Sequence, residues 1–251
     1  MLQLFYKVFK NTQILCFLTF CLLCCIPTYA QELSGQELLK KTIAYHDPNN
    51  NWNIFKGELT IEMITPDGNT RVSNVTINLP EQYFKLTSSR NNTAVTHIVA
   101  HDSARFGLDD KKSFTAEEIK KYNLTDTRAK FMKNYYTYLY GLPMKLSDNG
   151  TIVNPVVERK EFMGKEYLVL QVKYEEGIGK DVWYFYFDPK TYAMEIYQFY
   201  HDQTKNDGEY ILLTEEEIFL GIKFPKNRAW YQNADKKFLA TDKLTKISKL
   251  K

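Results

Sequence analysis

Residues 181–200 read DVWYFYFDPKTYAMEIYQFY. Nine of these twenty residues are aromatic, and a single turn signal, Asp188-Pro189-Lys190-Thr191, divides them into two runs. Aromatic side chains favour the pleated, half-buried surface of a strand, and Asp-Pro favours a turn, so the stretch reads as a β-hairpin. A four-residue loop pairs Phe187 with Tyr192, Phe185 with Met194 and Trp183 with Ile196, and puts all six on one face. Tyr186, Ala193, Tyr184, Glu195, Val182 and Tyr197 then form the other. The first face is apolar apart from one tyrosine. The second is built from amphipathic tyrosines and a glutamate, and a one-residue slip would mix the two. Such an apolar face has two uses: a plain core, or the wall of a site for an apolar ligand in a sheet too curved for its own side chains to fill. Composition leaves both open. Met63, Met132, Met144 and Met194 suit the second as adaptable liners.

Outward from the hairpin, period-two alternation continues. Phe55, Leu59, Ile61 and Met63 alternate with polar residues, which is a strand with one buried face. Pro66-Asp67-Gly68-Asn69 turns it back. Strands are expected at 71–79, 82–88, 94–100, 103–108, 154–162, 166–174, 209–214, 222–232 and 237–247, for a total of about eleven. Ser34-Gly35-Gln36-Glu37 and Thr115-Ala116-Glu117-Glu118 have the form of capping boxes, in which side chain and backbone satisfy each other's free donors. They predict helices from about 35 to 45 and just after 115. A longer helix is predicted over 126–140, ended by Gly141 and Pro143. Its apolar arc, which includes Phe131, Met132, Tyr135, Tyr138 and Leu139, is wide enough to need a sheet or pocket beneath it. Glu215-Glu216-Glu217 is expected in a solvated loop.

Lys7 and Lys10 precede the apolar run ILCFLTFCLLCCI (14–26), and Thr28-Tyr29-Ala30 ends on a small residue. This is the pattern of a secretory signal, with cleavage expected after Ala30. The thirteen-residue run falls short of the roughly 20 residues a membrane-spanning helix needs. Leu23-Cys24-Cys25 lacks the small residue expected before a lipid-modified cysteine. All four cysteines lie within the signal, so the remaining 221 residues hold none. A cysteine-free exported chain fits a bacterial periplasm. The four Asn-x-Thr sites, at Asn74, Asn91, Asn123 and Asn149, read as ordinary surface and turn sequence. After the signal, 31 basic residues face 30 acidic ones. That balance offers no electrostatic case for nucleic acid or anionic membrane. No repeat or linker divides 31–251, which is read as a single domain.

Catalytic and metal-binding patterns are sparse. His97 and His101 stand four apart in a β-like segment, where the strand rise separates them by roughly 13 Å, too far for one metal ion. His46-Asp47 and His201-Asp202 read as turn sequence rather than acid–base pairs. The sequence holds no nucleophile elbow, phosphate-binding glycine loop or H-E-x-x-H motif. No catalytic residue, cofactor or metal is assigned.

DVWYFYFDPKTYAMEIYQFY, followed by GIKFPKNRAWY at 221–231, resembles the superfamily of periplasmic lipoprotein carriers, the LolA-like and LppX-like proteins. It is most similar to an uncharacterised exported bacterial branch. The matching residues are Val182 to Tyr197, with the DPKT turn between two strands, and the later Gly221-Ile222-Lys223-Phe224-Pro225. The resemblance implies a mainly β fold with α: a strongly curved antiparallel sheet, an incomplete β-barrel, with about three helices closing its concave side over an apolar cavity for acyl chains. Candidate lining residues are Leu59, Ile61 and Met63 from the first strand and Tyr135 and Leu139 from the long helix. The hairpin supplies Trp183, Phe185, Phe187, Met194 and Ile196. The expected function is non-enzymatic binding of a lipid or other hydrophobic ligand in the periplasm, with carriage as an extension. The expected partners are that ligand and an envelope protein, with transient membrane contact, no nucleic acid and a monomeric state. The alternative is an envelope interaction module with a filled core. Carriers proper of the superfamily are usually shorter, and the insertion at 111–148 is one place where this chain is expected to depart from them.

Overall fold

The computed structural model describes residues 33–250; the expected signal segment and its cleavage point lie outside the described residues. Five strands, β1 (Lys56–Ile64), β2 (Thr70–Asn78), β3 (Tyr83–Arg90), β4 (Thr93–Ala100) and β5 (Ser103–Leu108), form a first meander. Seven more form a second: β6 (Thr151–Phe162), β7 (Lys165–Tyr174), β8 (Val182–Phe187), β9 (Met194–Tyr200), β10 (Glu209–Phe219), β11 (Ile222–Gln232) and β12 (Phe238–Lys249). The last strand returns to pair antiparallel with the first, joining both meanders into one sheet of order β5-β4-β3-β2-β1-β12-β11-β10-β9-β8-β7-β6. β5 and β6 follow one another in the chain yet lie at opposite edges, so the sheet is open. The twelve strands among the described residues fall on the segments expected from alternation.

Three α-helices are present among the described residues, α1 (Gly35–His46), α2 (Ala116–Tyr122) and α3 (Asp126–Gly141), of which α1 and α3 pack on the sheet. Both capping boxes form. Ser34 accepts from the Glu37 amide while the Glu37 carboxylate accepts from the Ser34 amide, and Thr115 and Glu118 repeat the exchange. α1 packs on β6 and β11, whereas α3 packs on β3, β4 and β5. α1 starts hard against β6. A Cβ on Gly35 would stand 1.9 Å from the Asn154 carbonyl oxygen, so no side chain fits there.

Strand alternation places Leu59, Val75, Phe84, Leu170, Phe185, Ile211 and Phe224 in one core with Leu38, Met132 and Leu139 of the helices. Residues from strands near both ends of a twelve-strand sheet reach a common core only if the sheet curls around it. The architecture is therefore an incomplete barrel with α1 and α3 on its concave side. A small second cluster, Tyr167, Val169, Tyr184, Tyr186 and Ile196, packs on the other face.

The hairpin register differs from the expected one. Phe187 pairs with Met194, and beyond an irregularity next to Phe187 the pairs are Tyr186–Ile196, Phe185–Tyr197 and Trp183–Phe199. The loop is longer than four residues: Asp188 and Ala193 close it, with Tyr192 in the left-handed region at φ 65°. Glu195 is the extra residue, and its displacement turns Ile196 outward and Tyr197 inward. Trp183, Phe185, Phe187 and Met194 keep the inner face. Glu215-Glu216-Glu217 is also not a loop; it lies within β10, where Glu215 takes a positive φ and the pairing with β11 skips a residue.

Candidate functional site: a groove beside the tyrosine-rich helix

α3 is fixed at both ends. Thr125 caps it by accepting from the Arg128 amide, and the buried Arg228 guanidinium donates to the Leu139 carbonyl at 3.3 Å and to the Pro225 carbonyl at 3.1 Å. The same guanidinium lies 4.0 Å from the centre of the Tyr140 ring. Beneath the helix, the Tyr136 ring lies tilted against Phe84 with centres 6.3 Å apart, and its hydroxyl donates to Ser73.

The helix edge facing β8 behaves differently. Tyr135, Tyr138 and Leu139 turn toward Trp183, Phe199 and Trp230 without filling the space, which leaves a groove of about 550 Å³. A second hollow of about 450 Å³ shares Phe131, Tyr135, Tyr138, Asp181 and Trp183 with it and continues toward Tyr174 and Ile178. Both lie in the roughly 300–1,000 Å³ range of small-molecule sites. Tyr138 packs edge-on to Trp183 at 5.5 Å, and its hydroxyl shares a 2.6 Å hydrogen bond with that of Tyr174. Burial raises the pKa of Tyr135 and Tyr138 well above the ordinary tyrosine value and that of Tyr174 to about 12, so all three are neutral hydrogen-bonding groups on apolar bodies. Phe131 and Ile178, at the mouth, are more than half exposed.

The groove also has charged walls. Asp242 accepts from the Trp230 indole at 3.1 Å, and Arg71 lies 3.9 Å from its other oxygen. Burial raises the Asp242 pKa, opposed by the nearby Arg71 and Arg228. At the mouth Asp181 pairs with His201 at 2.7 Å, and that hydrogen bond raises the histidine's pKa.

Four expected lining residues, Met63, Tyr135, Leu139 and Trp183, meet in this groove. Leu59, Ile61, Phe185 and Phe187 are packed into the solid core instead. Met194 lies under α1, beside a separate hollow of about 310 Å³ lined by His46, Glu195 and Glu216. Ile196 faces away from all of them. Phe199, Trp230, Arg71 and Asp242 were not foreseen in the sequence. Both charged residues stand on the inward face of their strands, Asp242 between Ala240 and Leu244 on β12 and Arg71 before Ser73, Val75 and Ile77 on β2.

His46-Asp47 and His201-Asp202 do serve turns. Asp47 accepts from the Asn51 and Trp52 amides, and Asp202 from the Thr204 amide. His97 is buried on β4 against the Asn123 carbonyl.

The fold is shared with solved structures. A LolA superfamily protein from Nitrosomonas europaea superposes with a TM-score of 0.53 at 9% identity, over 87% of this chain and 94% of that one. A domain named for outer membrane lipoprotein sorting, from Vibrio parahaemolyticus, gives 0.50 at 13% identity, over 85% and 91%. A DUF1329 family protein from Desulfovibrio piger gives 0.51 at 8% identity, over 87% and 94%. No curated protein matches the chain in sequence. The fold is LolA-like, and the match of a family model to residues 13–247 shows that the chain belongs to the family of unknown function DUF6503.

Proposed function

We propose that the protein is an exported periplasmic carrier or binder of a hydrophobic ligand, a lipid or acyl chain, which it holds in the groove between α3 and the concave sheet face. The observation that carries this reading is an unfilled aromatic groove of about 550 Å³ beside a core in which Leu59, Ile61, Phe185 and Phe187 are closely packed. An acyl chain laid along Trp183, Phe199 and Trp230 leaves water for an apolar surface, which favours binding by about 25 cal/mol per Å² of apolar area covered. The tyrosines on α3 suit a roof that meets water without ligand and an acyl chain with it. The likeness of fold to a domain named for lipoprotein sorting supports a ligand of this class. The N-terminal pattern of Lys7, Lys10 and the apolar run ending near Ala30 supports export of residues 31–251 as one domain. The role is binding rather than catalysis, without metal or cofactor, by a monomer that touches an envelope partner and, transiently, a membrane. Native mass spectrometry and solvent extraction of protein purified from a bacterial periplasm test it. Co-purified lipid, lost in a Trp183→Ala variant that folds, is the expected result. Consistently lipid-free protein that also fails to take up a fluorescent fatty acid would replace it with the second reading, an interaction module. That reading draws on the close packing of Leu59, Ile61, Phe185 and Phe187.

A further inference from the structure

Sheet pairing sets four side chains in one row across the concave face. Arg71 on β2 pairs with Met63 on β1, Met63 with Asp242 on β12, and Asp242 with Arg228 on β11. Directly paired residues project from the same face, so the row reads Arg, Met, Asp, Arg across four adjacent strands. Arg228 is committed to carbonyl oxygens below α3. Arg71 and Asp242 are not committed to each other, because Nη2 and Oδ1 stand 3.9 Å apart, beyond hydrogen-bond length. Arg71 Nε and Asp242 Oδ1 are both buried, and neither has a hydrogen-bond partner among the described residues. Arg228 Nε also lacks a partner, but Arg228 does not line the groove. The unused donor and acceptor within the groove lining thus belong to Arg71 and Asp242, whereas buried polar groups are ordinarily paired.

The surrounding charge narrows what fits them. Arg71 is the one guanidinium lining the groove, against Asp242, Glu209 and Asp181, the last of which holds His201. A carboxylate ligand meets three acids for one available cation, and an ammonium ligand meets Arg71. A neutral group that offers an acceptor to Arg71 and a donor to Asp242 satisfies both. We propose that the groove selects acyl ligands whose polar end is uncharged and carries both a carbonyl and a hydroxyl or amide hydrogen, an acylglycerol-like end, over free fatty acid anions. This rests on the hydrophobic-ligand reading above and names its substrate class.

The test uses delipidated protein, residues 31–251, with N-phenylnaphthylamine as a neutral fluorescent probe. Lauroylglycerol and lauric acid compete for it at about pH 8, where the acid is ionised. The glyceride is expected to displace the probe at a concentration at least about tenfold lower, as for a site built to pair a polar group. Asp242→Asn is expected to close most of that gap by improving the acid. Arg71→Gln is the second variant should the first fail to fold, and is expected to weaken the acid further while the glyceride changes little. Lauric acid competing as well as or better than the glyceride in the unmodified protein would overturn the proposal while leaving the hydrophobic-ligand reading in place. Absence of probe binding, or its failure to be displaced by either lipid, would overturn both.

Discussion

His46 ends α1 and holds two strands that do not touch each other there. Its Nδ1–H donates to the Lys223 carbonyl on β11 at 3.0 Å, and its Nε2 accepts from the Met194 amide on β9 at 3.0 Å. β9 pairs with β10 only over Ile196 to Phe199, so the Met194 amide depends on the histidine. The ring is buried, at 1% exposure, and can serve this way only when neutral. Burial lowers its pKa, opposed by the hydrogen bond to Lys223. Replacing it by alanine strands one buried N–H and one buried C=O, each costing about 1–3 kcal/mol, for about 2–6 kcal/mol in total. For a domain of this size that is a fall in Tm of roughly 5–20 °C. The pH dependence has a definite sign. With the folded pKa below the ordinary histidine value of about 6.5, the contribution is complete above that value. It is lost as pH falls toward the folded pKa, at up to about 1.4 kcal/mol per pH unit. Thermal unfolding of the unmodified protein and His46→Ala between about pH 8 and pH 5 should show a large gap that narrows below about 6.5. Taking the difference between the two removes the contribution of the other histidines. A gap absent at pH 8, or unchanged throughout, would refute the reasoning.

Phe185 is fully buried beneath Trp183, with the rings stacked at 6.0 Å. Phe185→Ala should therefore cost about 3–5 kcal/mol in urea unfolding, and Trp183→Ala, at the wall of the groove, clearly less but with loss of lipid uptake. Equal stability losses with uptake intact would favour a plain core at both positions. Asp188→Ala removes a side chain that accepts from the Lys190 and Thr191 amides and pairs with Lys165. It should cost about 1–2 kcal/mol by the same assay, as for loss of a cap, and no change would mean that the loop holds without it. Ligand should alter amide exchange chiefly in α3 and its flanking loops and leave the strands nearly unchanged; uniform protection in a lipid-bound sample would contradict a yielding roof.

The helix starts were legible because a capping box is local: Ser34 with Glu37 and Thr115 with Glu118 need only each other. Most strands were legible through alternation, which burial on one face imposes. The hairpin register was not, since it depends on the φ of Tyr192 and the displaced Glu195, and neither leaves a mark in an alternating pattern. For the same reason Ile196 was read on the wrong face. The approach of Arg71 to Asp242 was not legible because it depends on the first strand meeting the last, and that of Arg228 to Asp242 depends on the register between β11 and β12. Seen singly, Asp242 in a lysine-rich strand looks like one more solvated charge.

An open sheet has two terminal strands whose outer amides and carbonyls invite a stranger to continue the ladder. β6 discourages one. Pro155 removes a donor from its middle, its pairing with β7 breaks step between Val153 and Val157, and Ser34 bridges to Val156. Charged Glu158, Arg159, Lys160 and Glu161 fill its second half. β5, at the far end, is only six residues long and lies against α3. Each border is thus bent, short or already occupied, and the ladder can stop at twelve rungs without closing on itself or recruiting a neighbour.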